Sequence, residues 1–273
     1  MAILPSFKLT MTTWLFSCSV TATWFAALTS DLDPGVTGYL IAVAVDAATG
    51  CPINFNALIG DAYVKLDSGH AANLIAETFP MVPGSPSPCA AGSGFATLRF
   101  DGANYDTAPR TLALSNIPSR GSGNDTLLAL NRFGGDLRTA VAPLGEFSGL
   151  LFDDLGQAFG FSTAAASCQF VSSLSNDFPR GFEDAIPTGR QGWMKMWLTD
   201  DVALLGAAIN FNGTAGSTSF NHGRNLHKLT FTQSATMMIP ILPYSGFQMR
   251  VTAQRRGRPV CLPRWGPTAL ILS

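Results

Sequence analysis

Charge is what this sequence has least of. Asp, Glu, Lys and Arg make up 13% of the 273 residues while 47% are hydrophobic, and soluble domains usually carry about 25% charged residues. So apolar a chain collapses rather than staying open, which excludes disorder. Its surface must be built from Ser, Thr, Asn and Gly, as in secreted or cell-surface β-proteins, or be buried in an assembly. The net charge is −1, and Arg250, Arg255, Arg256, Arg258 and Arg264 place +5 in the last 24 residues, leaving −6 on the rest. A mildly acidic body offers no basic face to a phosphate backbone, so nucleic acid is not an expected partner.

Other absences narrow the reading further. No run of about 18 apolar residues occurs, so no transmembrane segment is expected. The five cysteines, Cys18, Cys51, Cys89, Cys168 and Cys261, form no CxxC pair and no Cys/His cluster at zinc spacing, which argues against a structural zinc site. Their scatter fits either one or two disulfides with a free thiol, or plain buried thiols. No GxSxG elbow, HExxH helix, Walker loop or dinucleotide fingerprint is present. Catalysis therefore has no positive support, and the expectation leans away from an enzyme.

What is present is a succession of short apolar segments broken by Gly, Pro, Asn and Asp at intervals of roughly 8 to 15 residues, the rhythm of an antiparallel sandwich. The expected fold is all-β, an antiparallel β-sandwich of jelly-roll or Ig-like plan. Strands are expected at 39–45, 53–59, 62–66, 95–100, 111–114, 126–131, 149–152, 158–162, 168–174, 192–198, 204–211, 226–232 and 236–241. In the segment from Leu226 to Thr232, His227, Leu229 and Phe231 alternate with Lys228 and Thr230, giving one wet and one packed face. The exception is 69–79: Ala71, Leu74, Ile75 and Thr78 fall at helical spacing and Pro80 ends the run, which predicts one short helix. Residues 80–88 and 176–190 read as loops, and 31–243 as a single sandwich domain.

The ends differ from this body. Residues 1–30 read either as a weak signal-like segment, with Lys8 ahead of the apolar stretch from Met11 to Ala27, or as a pair of strands, since Thr and Ser interrupt that stretch. Residues 244–273 read as an irregular Arg-rich tail.

Three segments share a plan of apolar run, acidic turn and second apolar run. Leu150-Leu151-Phe152-Asp153-Asp154 leads to Phe161, Trp197-Leu198-Thr199-Asp200-Asp201 leads to Phe211, and Ile41 to Asn56 turns at Asp46. The last two share an Ile-Asn-Phe-Asn ending, at 53–56 and 209–212. All three are expected to be hairpins. The pairs Asp153/Asp154 and Asp200/Asp201 are the clustered carboxylates of the chain. Asp serves turns by bonding its own backbone, while paired carboxylates also serve glycoside hydrolysis or hold Ca²⁺. Trp193 and Trp197, four apart, share one strand face and either stack on sugar rings or form half of a core layer. Gly121-Ser122-Gly123-Asn124-Asp125 resembles one repeat of a Ca²⁺-binding nonapeptide, which makes Asp125 a candidate metal ligand. Ca²⁺ is the sole cofactor for which the sequence offers a site. His222 and His227 stand near no acidic residue in sequence.

Three strings, Asp33-Pro34-Gly35-Val36-Thr37-Gly38-Tyr39, Thr49-Gly50-Cys51-Pro52 and Ser68-Gly69-His70-Ala71-Ala72-Asn73-Leu74, together with Asn225-Leu226-His227-Lys228-Leu229, resemble uncharacterised predicted surface or secreted β-rich proteins of bacteria. That resemblance implies an extracellular setting and no particular activity. The expected function is a non-catalytic extracellular or cell-surface module for structural association or adhesion, its partners other protein subunits or surface glycans. The alternative is a carbohydrate-binding or glycoside-hydrolysing domain that uses the Asp pairs and an exposed Trp.

Overall fold

A computed structural model describes residues 41, 43–46, 49–66, 69–90, 92–138, 142–166, 169–174, 185–212, 214, 222–241 and 271–272. The strands are β1 Val43–Ala44, β2 Asp61–Leu66, β3 Gly69–Ile75, β4 Phe95–Phe100, β5 Ala108–Pro118, β6 Asn124–Phe133, β7 Gly135–Asp136 and β8 Gly145–Asp153. They continue as β9 Ala158–Ala165, β10 Gln169–Ser173, β11 Gln191–Leu198, β12 Ala203–Asn212, β13 His222–Asn225, β14 His227–Thr232, β15 Ala235–Pro240 and β16 Ile271–Leu272. The protein is all-β. A single 3₁₀ turn, Gly121–Gly123, is the helical element among the described residues.

Two large antiparallel sheets, β14-β5-β11-β8-β9 and β10-β6-β12-β13, enclose the main core in a sandwich-like arrangement. Period-two alternation builds it: Phe147 and Leu151 of β8 and Met194, Met196 and Leu198 of β11 point inward and are essentially fully buried. Leu128 and Leu130 of β6 and Leu204 of β12 meet them from the other sheet. Each such side chain contributes about 1.5–3 kcal/mol by leaving water. Gly149 is required where the ring of Phe161 crosses β8, because a Cβ there would stand 2.3 Å from that ring. A smaller sheet, β4-β15-β7, covers a second core in which Phe79, Phe100 and Phe133 pack with ring centroids 4.6 to 5.3 Å apart. The β2-β3 hairpin lies against the four-stranded sheet through Val64, Ala72 and Ile209. Gly223 of β13 permits that approach, since a Cβ would meet the Cβ of Ala72 at 2.2 Å.

The chain changes sheet repeatedly. β5 to β6, β9 to β10, β10 to β11, β11 to β12 and β13 to β14 each cross from one large sheet to the other. The disulfide Cys51–Cys89 ties the segment after β1 to the proline-rich loop ahead of β4. Cys18, Cys168 and Cys261 lie outside the described residues, as do residues 1–30 and all of 244–273 except β16, which pairs in parallel with β1.

Four expectations are corrected. The stretch 69–79 is not a helix: residues 69–75 form β3, paired antiparallel with β2. Ala72 is buried and Leu74 packs inward, while Ile75 is 71% exposed, so period two governs. A run of two or three turns cannot offset the cost of helix nucleation when a pairing strand lies next to it. The stretch 53–59 is not a strand; Ile53 and Phe55 are exposed, and Asn56 exchanges hydrogen bonds of 3.0 Å with the backbone of Met81. Asp200/Asp201 do not cap a hairpin, because β11 and β12 belong to different sheets and the acidic pair marks the corner between them. The expected division of β14 into one wet and one packed face is not found: Leu229 and Phe231 are about half exposed, Lys228 and Thr230 are not buried either, and Thr232 is the buried residue of the strand. Register shifts between Lys228 and Phe231 break the alternation there.

Candidate functional site

The outer face of the five-stranded sheet is where the candidate residues meet. Register pairs Trp193 with Phe152, Lys195 with Leu150 and Trp197 with Ser148, so these side chains lie in adjacent rows on the side opposite the core. Trp193 and Phe152 stack with centroids 4.4 Å apart and planes 12° apart, and Trp193 remains 42% exposed. Lys195 holds its ammonium 5.8 Å from the ring centre of Trp197. Trp193 and Trp197 do share a strand face, and it is the outer one rather than a core layer.

This face is unusual for an exposed one. A strand with one wet side alternates, whereas a strand covered on both sides reads as a near-continuous apolar run. Leu150-Leu151-Phe152 in β8 and Trp193-Met194 and Met196-Trp197-Leu198 in β11 read in the second way. Trp193 is exposed, and Leu150, Phe152 and Trp197 are part-exposed rather than buried.

A β-bulge aims Trp193. Between Gly192↔Ile117 and Met194↔Leu114, the two residues Ser115 and Asn116 of β5 face the single residue Trp193. Asn116 takes φ of 52°, a left-handed conformation that Asn tolerates better than most residues, and such bulges redirect neighbouring side chains. The bulge is held from below. The amide of Asn210 donates to the Asn116 carbonyl at 2.7 Å, and the Thr126 hydroxyl donates to Asn210 at 2.8 Å. The guanidinium of Arg224 donates to the carbonyls of Ser115 and Asn116, and burial lowers its pKa. His227 faces the Ser115 hydroxyl at 3.4 Å, while His222 lies on β13. Sequence reading missed this support. An Asn inside an otherwise apolar strand, Leu112-Ala113-Leu114-Ser115-Asn116-Ile117, was the available signal.

The acidic pairs are not brought together. Gly192 pairs with Asp153 at one end of β11 and Leu198 with Phe147 at the other, so Asp153/Asp154 and Asp200/Asp201 lie beyond opposite ends of one strand, at least about 20 Å apart at ~3.4 Å per residue. Glycosidase carboxylates stand roughly 5–10 Å apart. Each pair has structural duties instead. Asp153 is buried, and its Oδ1 accepts the N–H groups of Leu155 and Gln157 at 2.9 and 2.8 Å, closing the β8–β9 turn. Asp154 pairs with Arg190 at 2.6 Å. Asp201 pairs with Arg110 at 3.0 Å and accepts the hydroxyls of Thr232 and Ser234. Asp200 is exposed, and its carbonyl accepts the N–H of Val202. Asp46 likewise closes its own turn by accepting the N–H and hydroxyl of Thr49, both at 2.8 Å.

Asp125 stands at the start of β6. One of its oxygens accepts the Thr126 N–H at 2.7 Å and the other the Ser173 hydroxyl. Beside it is a cavity of about 20 Å³, lined also by Ile117, Thr126 and Leu174, room for a single water. Among the described residues no three His, Cys, Asp or Glu side chains gather as a metal site would require. No helix among them is long and apolar enough to cross a membrane. Compared with known proteins, the chain matches no family model, no curated protein and no solved structure.

Proposed function

We propose that this chain is a non-catalytic β-module of the extracellular or cell-surface type that works by association, with other protein subunits or in adhesion. The observation that carries the reading is the apolar outer face of β8 and β11, where Leu150, Phe152, Trp193 and Trp197 have the sequence pattern of strands covered on both sides. Contiguous apolar surface of this kind marks interaction sites. The disulfide Cys51–Cys89 supports an oxidising compartment, and the resemblance to bacterial surface or secreted proteins points the same way. In this reading the repeated crossings between sheets belong to a jelly-roll or Ig-like plan.

A second reading has one observation in its favour: Trp193 is exposed and held rigid by Phe152 and the bulge, as a sugar-stacking residue would be. It is a binding reading only, since the two acidic pairs are too far apart to cooperate in hydrolysis.

One experiment separates the outcomes. Light scattering over rising concentration, read together with acrylamide quenching of tryptophan emission in wild type and Trp193→Phe, should give assembly with a quencher-shielded Trp193. A monomer at every concentration, with Trp193 always accessible, defeats the association reading. Shielding of Trp193 in the monomer by added oligosaccharide would establish the glycan reading in its place.

A further inference from the structure

The five-stranded sheet ends in two edges that are treated very differently. β14 carries Lys228 and two register irregularities, the devices by which proteins discourage strand addition. β9 has none of them: eight residues, Ala158 to Ala165, with no charge, no proline and unbroken register against β8. Among the described strands, nothing pairs with its far side.

The groups β9 turns to that side follow from its register. The N–H of Asp153 donates to the carbonyl of Gln157 at 3.1 Å, so pairs in step with it, such as Leu151↔Phe159 and Gly149↔Phe161, are the hydrogen-bonded ones between β8 and β9. In an antiparallel ladder the alternate residues point the other way. A bond on the far side of β8 agrees: the Glu146 carbonyl accepts the N–H of Thr199, beyond β11. Ala158, Gly160, Ser162 and Ala164 therefore turn their N–H and C=O groups to the open edge. They are also the residues whose small side chains face outward, all exposed.

We infer that β9 is a self-association edge that pairs antiparallel with β9 of a second copy of this chain, joining two five-stranded sheets into one of ten strands. A two-fold axis at Phe161 sets Ala158 opposite Ala164 of the other copy and Gly160 opposite Ser162, so all four outward residues pair with one another and none with an inward residue. Antiparallel pairing requires this match, because directly opposed residues share a sheet face. On the core side the same register extends the cluster that half-buried Phe159 and buried Phe161 now terminate. A neutral edge that complements itself under a two-fold axis fits another copy better than a charged or proline-rich strand.

The inference rests on the association reading but names a different boundary of the sheet, so the two can fail separately. Sedimentation of the full chain over a concentration series should show a dimer. Ala158→Lys together with Ala164→Lys sets two pairs of like charges directly opposite and should weaken the dimer at least tenfold, whereas Leu229→Lys with Phe231→Lys on β14 should leave it unchanged. In wild type, amide exchange at residues 158, 160, 162 and 164 should slow as concentration rises, a readout that does not depend on how the variants fold. A dimer that survives the β9 lysines, or edge amides indifferent to concentration while the protein assembles, overturns the β9 junction and leaves association standing. A wild type that stays monomeric removes both.

Discussion

The disulfide makes the most quantitative prediction. Cys51 and Cys89 are 38 residues apart in sequence, and closing a loop of that length in the unfolded chain removes about 13 cal/mol/K of entropy, or about 4 kcal/mol at 25 °C. Against a typical total of about 5–15 kcal/mol this is a large share. Cys51→Ala with Cys89→Ala should therefore lower the free energy of unfolding by about 4 kcal/mol and the Tm by on the order of 10 °C. The loss should be felt first around the loop before β4, where the bridge holds the segment at Cys51 beside residues that pack on the second core, Met81 and half-buried Cys89. The assay is urea denaturation followed by tryptophan emission, for oxidised protein, reduced protein and the double variant, with the linked Cys51–Cys89 peptide identified by mass spectrometry. Reduced protein and double variant should coincide. A loss below about 1 kcal/mol, or a peptide map joining either cysteine to a different partner, would refute the reasoning.

Three further outcomes follow from single residues. Asp153→Ala removes the carboxylate that accepts the turn N–H groups of Leu155 and Gln157 and should cost about 1.5–3 kcal/mol in all, measured by thermal unfolding; Asp200→Ala at the exposed corner should cost less than about 0.5 kcal/mol. Gly149→Ala drives a methyl into the ring of Phe161 and should destabilise by about 1–3 kcal/mol, relieved in part when combined with Phe161→Leu. Tyr105 packs on Phe100 in the second core, and burial pushes its phenol up to about 12 from an ordinary 10.0. A raised folded-state value means stability is intact below pH 10 and falls as pH rises toward about 12, by on the order of 2 kcal/mol. Tyr105→Phe should flatten that alkaline decline in denaturation curves taken between pH 9 and 12, and an unchanged decline would exclude Tyr105 as its source.

Local patterning made most strands legible. The expected strand at 95–100 coincides with β4, and 158–162 and 192–198 fall within β9 and β11, because alternation and bounding turns are written in adjacent residues. What pairs with what is not written there. The segment 69–79 has helical spacing and a proline stop, yet pairing with β2 overrides both. The acidic turn at Asp153 and the acidic corner at Asp200 look alike in sequence, and only sheet membership separates them. The joining of Cys51 to Cys89 and the bulge opposite Trp193 depend on residues brought together from distant parts of the chain. Trp193 and Trp197 were legible as face-mates; that their face is the outer one follows from Met194 and Met196 being the inward pair.

The crossings between sheets have a consequence for the order in which the protein can form. β5 lies between β11 and β14, joined to them through pairs such as Leu114↔Met194 and Ala113↔His227, so neither neighbour exists until most of the chain has been made. Distant pairing of this kind delays the rate-limiting step. The first half of the polypeptide therefore leaves the ribosome unable to close its sheet, with Leu112 and Leu114 uncovered until the region after 190 arrives. A chain held open in this way exposes apolar side chains and unpaired strand edges, the condition under which partly folded chains aggregate.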